Sequence, residues 1–100
     1  MDGKLLEARI KDVRKNIKNA LIRQGPLTAH MLVYDDFHSY NGGIYEHTGG
    51  GDPGKHLVTI VRYNDNQNYW ICKNSWGTNW GDNDWFRIKY GNCEIEKHIA

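Results

Sequence analysis

Residues 68–82 read NYWICKNSWGTNWGD, and this stretch decides the fold because a strand and a tight loop meet within it. The side chains of Tyr69, Trp70 and Ile71 favour a pleated surface, whereas the asparagine, serine and glycine residues that follow destabilise a helix. The sequence therefore predicts that residues 73–76 lie where a strand ends and opens into a loop.

The length and composition predict a single domain that spans residues 1–100 and is built around one modest core. The 13 basic and 12 acidic residues are interspersed, a balance that favours neither nucleic acid nor a membrane as a partner. No apolar run is long enough to cross a bilayer and the first residues do not form a signal peptide, so we expect a soluble chain. The two cysteines are too few for a disulfide scaffold or for a zinc site made of cysteine alone.

An amphipathic helix is predicted over residues 4–24. Its apolar side chains recur at spacings of three and four, which places them along one stripe: Leu6, Ile10, Val13, Ile17 and Leu21. Lysine and arginine residues occupy the other face, Asp2 is the predicted cap, and Gly25-Pro26 ends the helix. We expect the apolar stripe to pack on a sheet.

Strands, turns and loops are predicted over residues 26–100. Alternating or β-branched runs indicate strands over residues 27–34, 43–46, 56–63, 69–73, 84–90 and 93–99. Composition also indicates a helical turn over residues 35–40, a flexible glycine-rich loop over residues 47–55 and a hairpin turn over residues 64–68. The fold class that follows is α+β, with the N-terminal amphipathic helix packed on an antiparallel, partly closed β-barrel of about five to six strands.

The predicted hairpin brings His56 and Asn74 together. His56 opens one strand and Asn74 follows the partner strand, so both side chains lie at the mouth of the hairpin. An asparagine carbonyl that accepts a hydrogen bond from one imidazole nitrogen fixes the ring and leaves the other nitrogen free to serve a thiol. From the residues alone, a polar contact without a catalytic role is the commoner interpretation of such a pair.

A series of motifs occurs in a fixed order from about residue 17 to the C-terminus. The series comprises Gly25-Pro26-Leu27, Gly43-Ile44-Tyr45, His56 before a β-branched run to Tyr63, Tyr69-Trp70, Lys73 to Gly77, Trp80-Gly81 and Phe86-Arg87-Ile88. In order and rough spacing it resembles the C-terminal, right-hand and β-barrel-like half of the papain-like cysteine peptidases of the C1 family. The resemblance implies one half of an enzyme that hydrolyses peptide bonds through a Cys-His-Asn site.

The resemblance also implies roles for individual side chains. His56 is then the catalytic base, and Asn74 is its orienting partner. Trp76 covers their hydrogen bond, and Trp80 lines the primed side of the cleft. Leu57 narrows the pocket that binds the substrate's second residue. For Trp70 and Trp85 we expect core packing instead.

The family's nucleophile is a cysteine in a Cys-Gly-Ser-Cys-Trp-like segment of the N-terminal half, and these 100 residues contain no such segment. Cys72 is expected to be a buried small hydrophobe and Cys93 a free thiol, with a bridge between them as the less favoured alternative. We therefore expect a chain that is inactive alone and needs the N-terminal half as its partner, with a peptide as substrate.

Neither a cofactor nor a metal is expected. A zinc site built from His47, His56 and a cysteine is less favoured than solvated or hydrogen-bonded imidazoles. By family analogy, the complete enzyme would work in a secreted or lysosome-like compartment.

Several residues depart from the family pattern, which has mostly small residues at their positions: Lys55, Leu57, Arg62, Asp84 and Glu94. We interpret these replacements as adaptation of surfaces that the missing half would otherwise cover. One alternative is an isolated, natural or engineered subdomain that self-associates as a homodimer. Another is a degenerate homologue that binds peptides without cleaving them.

Overall fold

Two helices, five strands and a 3₁₀ turn make up the computed structural model, which describes residues 3–99. Helix α1 spans Gly3–Gln24, followed by β1 at Leu27–Val33, a short helix α2 at Asp35–His38, β2 at Ile44–Tyr45, β3 at Gly54–Asn64, β4 at Tyr69–Lys73, β5 at Trp85–Lys89 and a 3₁₀ turn at Asn92–Glu94. The predicted cap Asp2 lies outside the described residues. Helix α1 ends because Gly25 adopts a φ of 86° and donates its N–H to the Leu21 carbonyl at 3.0 Å.

The five strands form one sheet in the order β1-β3-β4-β5-β2. The neighbours β1–β3, β3–β4 and β4–β5 are antiparallel, whereas β2 runs parallel to β5. The α+β class is confirmed, but the sheet is mixed and open rather than antiparallel and partly closed. The sheet is mixed because β2 lies at its far edge and pairs in parallel with β5.

The β3–β4 hairpin is closed by the side chain of Asn64. Its Oδ1 accepts hydrogen bonds from the N–H groups of Asn66 and Gln67 at 2.9 and 3.1 Å, and Asn68 completes the turn with a φ of 58°. This turn fixes the register in which Tyr63 pairs with Trp70. The mouth of the same hairpin carries the candidate site.

One apolar cluster lies between the sheet, α1 and α2. Its largest fully buried side chains are Met31, Phe37, Ile60, Trp70, Cys72, Phe86, Ile88 and Ile95. The prediction for Trp70 is confirmed, but the one for Trp85 is wrong, because Trp85 is 38% exposed. Side chains alternate along β5, so Trp85 shares the outer face of that strand with Arg87 and Lys89.

Helix α1 buries only the second half of its apolar stripe. Ile17 and Leu21 reach the core, whereas Leu6, Ile10 and Val13 remain exposed. The predicted packing of this helix on the sheet is confirmed, and its second half makes that contact. Within residues 3–99, no helix combines the length and the hydropathy that a membrane-spanning helix needs.

The C-terminal segment turns instead of forming the strand predicted over residues 93–99. Cys93 and Glu94 both adopt a φ of 54°, and the Ile95 N–H closes a turn onto the Asn92 carbonyl at 3.2 Å. These left-handed conformations are incompatible with an extended strand. The turn brings Ile95 into the core, and Ile99 makes a single bridge to Ala29.

Candidate active site

The mouth of the β3–β4 hairpin places His56 beside Asn74. Thr59 on β3 and Lys73 on β4 form the outermost pair of this ladder; Asn74 directly follows Lys73, and His56 lies three residues before Thr59. The His56 Nε2 and the Asn74 Oδ1 are 2.6 Å apart. The hairpin register thus brings the two predicted residues into direct contact.

The hydrogen bonds at Asn74 define the tautomer of His56. The Asn74 Oδ1 also accepts the N–H of Ser75 at 2.9 Å, which identifies this atom as the amide oxygen. An amide oxygen only accepts, so the His56 Nε2 carries the proton and donates it. In the neutral ring, Nδ1 is therefore left with a lone pair that can take a proton from another group.

Trp76 lies against the imidazole of His56. The ring centroids are 4.9 Å apart with an interplanar angle of 30°, and His38 stacks on the same indole at 4.9 Å and 5°. An aromatic ring at this position restricts the access of water to the neighbouring hydrogen bond. No sequence signal places His38 here, because residues 35–40 were predicted only as a helical turn.

Trp80 supports Trp76 from the core side. Its ring meets the Trp76 ring edge-on at 5.1 Å, and its Nε1 donates to the Phe37 carbonyl at 3.2 Å. Leu57, the residue after His56, is 51% exposed and pairs with His30 on β1. The roles implied for Trp80 and Leu57 in substrate binding stay predictions.

The loop over residues 74–84 is held in a compact shape by its backbone. The Asn74 N–H donates to the Asp84 carbonyl and the Asp84 N–H to the Trp80 carbonyl, each at 2.8 Å. Gly81 has a φ of 61°, and a Cβ there would lie 2.9 Å from the Trp85 carbonyl oxygen, so the position requires glycine. The loop therefore fixes where Asn74 and Trp76 emerge from the sheet.

Asp84 corrects the interpretation of the five departures from the family pattern as surface adaptations. Lys55, Leu57 and Arg62 are indeed exposed, but Asp84 is only 3% exposed. Its carboxylate bonds to Lys73 and to the Trp76 backbone. A surface role therefore does not account for this residue.

Both cysteines are free and buried. Burial raises the pKa of the Cys72 thiol, and it raises the pKa of the Cys93 thiol to about 11. The active nucleophile in thiol chemistry is the thiolate, which neither cysteine supplies at neutral pH. Within residues 3–99, no group of three or more His, Cys, Asp or Glu side chains could hold a metal ion.

Asp36 anchors the start of the glycine-rich loop that leads to His56. Its carboxylate accepts hydrogen bonds from the Tyr45 hydroxyl at 2.6 Å, from the His47 Nδ1 at 3.0 Å and from the Thr48 N–H at 3.1 Å. The ring of His47 stacks on Tyr34 at 3.7 Å. His47 is thus held by Asp36 and Tyr34.

Replacing Asp36 with asparagine is expected to make the free energy of unfolding depend less steeply on pH below about pH 4. Burial raises the pKa of this carboxyl, but the bonds from Tyr45, His47 and Thr48 outweigh burial and lower the pKa from 3.8 to about 2. A lowered pKa in the folded chain gives stability that is present above pH 3.8 and is lost as the pH falls toward 2. Urea unfolding between pH 2 and pH 7 measures how the free energy of unfolding depends on pH, and Asp35→Asn, at an exposed position, is the control. A dependence on pH as steep in Asp36→Asn as in the parent chain would contradict this assignment.

Comparisons with known proteins give one consistent result. The family model described as papain family cysteine protease matches residues 4–100. The chain is 39% identical over 95 residues to cathepsin B-like cysteine proteinase 1 of Haemonchus contortus and 45% identical over 83 residues to cathepsin B-like CP2 of Giardia intestinalis. These alignments cover 91% and 78% of the chain, but each covers only 28% of the relative.

A solved structure has the same fold. Procathepsin B S9 from Trypanosoma congolense superposes with a TM-score of 0.75 at 34% identity, over 85% of this chain and 30% of that one. The chain thus spans less than a third of each of these three relatives.

Proposed function

Because the chain belongs to the papain family of cysteine proteases, we propose that it forms the C-terminal half of a peptidase active site and supplies the histidine base and its asparagine partner. The nucleophilic cysteine then comes from an N-terminal half. The substrate is a peptide, and the reaction is hydrolysis of its backbone amide. Assigning the site to His56 and Asn74 goes beyond family membership and rests on their geometry.

One observation carries the proposal: the His56 Nε2–H donates to the Asn74 Oδ1 at 2.6 Å under the ring of Trp76. This bond fixes the tautomer in which Nδ1 can accept a proton. A base that is already oriented loses little free energy to ordering when its partner thiol arrives. The chain alone therefore supplies the oriented imidazole of a thiol–imidazole pair.

The proposed reaction proceeds in two stages. The His56 Nδ1 takes the proton of the incoming thiol, and the thiolate forms a bond to the peptide carbonyl carbon. The imidazolium then gives this proton to the amine as the carbon–nitrogen bond breaks, which leaves an acyl thioester on the cysteine. Water, deprotonated by the same Nδ1, then hydrolyses the thioester and restores the thiol.

The proposal predicts that activity appears only on mixing. The chain alone is expected to leave a fluorogenic peptide uncleaved, because Cys72 and Cys93 are buried as thiols. Cleavage is expected after addition of an N-terminal segment, from a cathepsin B-like relative, that carries the family's cysteine. Alkylating that segment before mixing provides the control. Thiol-dependent cleavage by the chain alone would overturn the proposal, and so would an inactive mixture in which the two parts form a stable complex.

Self-association is a second candidate, favoured by apolar side chains on the surface. Leu6, Ile10 and Val13 on α1 and Leu57 and Trp76 near the hairpin mouth are exposed. A second copy could bury part of this area in a homodimer. Light scattering on the eluting peak of a gel-filtration column is the test, and a monomer throughout the concentration series would eliminate this candidate.

A further inference from the structure

Asp84 is a buried carboxylate at the point where the loop over residues 74–84 rejoins the sheet. It is 3% exposed, and its φ of 73° lies in the left-handed region that favours glycine. Both burying a charge and holding a side chain in this conformation are unfavourable. Such a residue persists in a fold where its contacts compensate for both costs.

The side chain of Asp84 contacts residues that adjoin the candidate site. Its Oδ1 accepts the backbone N–H of Trp76 at 3.0 Å, and its Oδ2 lies 2.5 Å from the Lys73 Nζ. The same ammonium group donates to the Asn74 carbonyl at 3.1 Å. Lys73 and Asp84 therefore form hydrogen bonds to the backbone on either side of Ser75, Lys73 to the Asn74 carbonyl and Asp84 to the Trp76 N–H.

We propose that Asp84 and Lys73 form a clamp whose role is to position Asn74 and Trp76 against His56. The backbone bond from the Asn74 N–H to the Asp84 carbonyl would form with any residue at position 84, so it does not require a carboxylate. The side-chain bonds to Trp76 and Lys73 do require one. They fix the direction in which the Asn74 amide and the Trp76 indole leave the loop.

The geometry distinguishes this clamp from an ordinary surface ion pair. Lys89 and Glu46 are 3.4 Å apart with both side chains largely exposed, the arrangement in which ion pairs contribute little. The Asp84 carboxylate is buried and has a partner at each oxygen. Asp84 and Lys73 act through Asn74 and Trp76, so they are positioning residues.

The test compares Asp84→Gly and Asp84→Asn with the control Glu46→Gln. Glycine accommodates the φ of 73° but removes the carboxylate, whereas asparagine keeps an oxygen for the Trp76 N–H and loses the charge that faces Lys73. Nuclear magnetic resonance on the chain alone measures amide hydrogen exchange of Trp76 and the ring nitrogens of His56.

In Asp84→Gly the Trp76 amide is expected to exchange about tenfold faster, the effect of losing one hydrogen bond. The His56 ring is expected to populate both neutral tautomers, while the amides of the β3–β4 ladder keep their protection. Asp84→Asn is expected to fall between the parent chain and Asp84→Gly, and Glu46→Gln to match the parent.

Two results would overturn the clamp. Unchanged Trp76 exchange and His56 tautomer in Asp84→Gly would show that the carboxylate is dispensable for the site. A uniform loss of protection along β3 and β4 would show that Asp84 supports the whole sheet rather than the site.

The functional meaning of the clamp rests on the proposed function, but this experiment does not. The magnetic resonance experiment measures hydrogen exchange and tautomers in the chain alone, so its result does not depend on whether the mixture with the N-terminal segment is active. If the mixture is active, Asp84→Gly is expected to lower kcat about tenfold with little change in KM, because the clamp does not touch the substrate.

Discussion

Replacing His56 with alanine is expected to reduce peptide cleavage by the assembled mixture about 10²- to 10⁴-fold, the range that a positioned base contributes. The variant is expected to retain the sheet but has no group to take the proton of the incoming thiol. Asn74→Ala is expected to have a smaller effect in the same direction, because the base remains but its tautomer is no longer fixed. Initial rates with a fluorogenic peptide measure both effects.

His98→Ala is the matched control for His56→Ala. His98 is exposed near the C-terminus, and its backbone carbonyl, which accepts the His30 N–H, is unaffected by the substitution. Circular dichroism and gel filtration establish that each variant folds and binds the N-terminal segment. A folded, bound His56→Ala variant with parental activity would eliminate His56 as the base.

Replacing Trp70 with alanine is expected to destabilise the chain by about 3–5 kcal/mol, the range for truncation of a large buried aromatic side chain. Trp70 is fully buried, and its Nε1 donates to the Glu96 Oε2 at 3.1 Å. Glu96 also accepts the Arg14 Nε at 2.7 Å, so the indole connects β4 to the C-terminal segment and to α1. Urea unfolding followed by circular dichroism measures the change in free energy of unfolding.

Trp85→Ala provides the matched control for the same residue type. Trp85 is exposed on the outer face of β5, where the Lys73 Nζ lies 6.0 Å from its ring centroid. Loss of that contact is expected to cost less than about 1 kcal/mol. Equal destabilisation by the two substitutions would contradict the assignment of Trp70 to the core and Trp85 to the surface.

Local patterns were sufficient to predict the elements that form the hairpin. The β-branched run of β3, the asparagine-rich turn and the aromatic start of β4 each favour the same structure, and the predicted strand over residues 69–73 has the observed bounds. The hairpin alone then brings His56 to Asn74. This part of the site could be predicted because it depends on two strands that are neighbours in sequence.

Features that depend on distant parts of the chain were not predictable in this way. The pairing of β2 with β5 joins strands separated by about forty residues, and nothing in the composition of Ile44 and Tyr45 specifies that partner. The helical stripe is regular throughout, yet its burial depends on where the sheet ends. The error for Trp85 is of another kind, because the alternation of Trp85, Arg87 and Lys89 with apolar neighbours is a local pattern that already indicates the outer face.

Asp84 shows the limit of reading charge from sequence. The sequence placed Asp84 at the start of a predicted strand, and because carboxylates are usually solvated an exposed position was expected. Its burial results from the left-handed backbone at residue 84, which directs the carboxylate toward Lys73 and the Trp76 N–H. Neither that conformation nor the partner at residue 73 has a local sequence signal.

The most direct test of the central claim is the protonation of the two ring nitrogens of His56 in the chain alone. In the proposed site, Asn74 orients the base before any thiol is present. Nitrogen-15 spectra of the neutral ring are therefore expected to show a protonated Nε2 and an unprotonated Nδ1, and Asn74→Ala is expected to replace this with a mixture of both tautomers. A mixture in the parent chain, or a tautomer that persists in Asn74→Ala, would contradict the account.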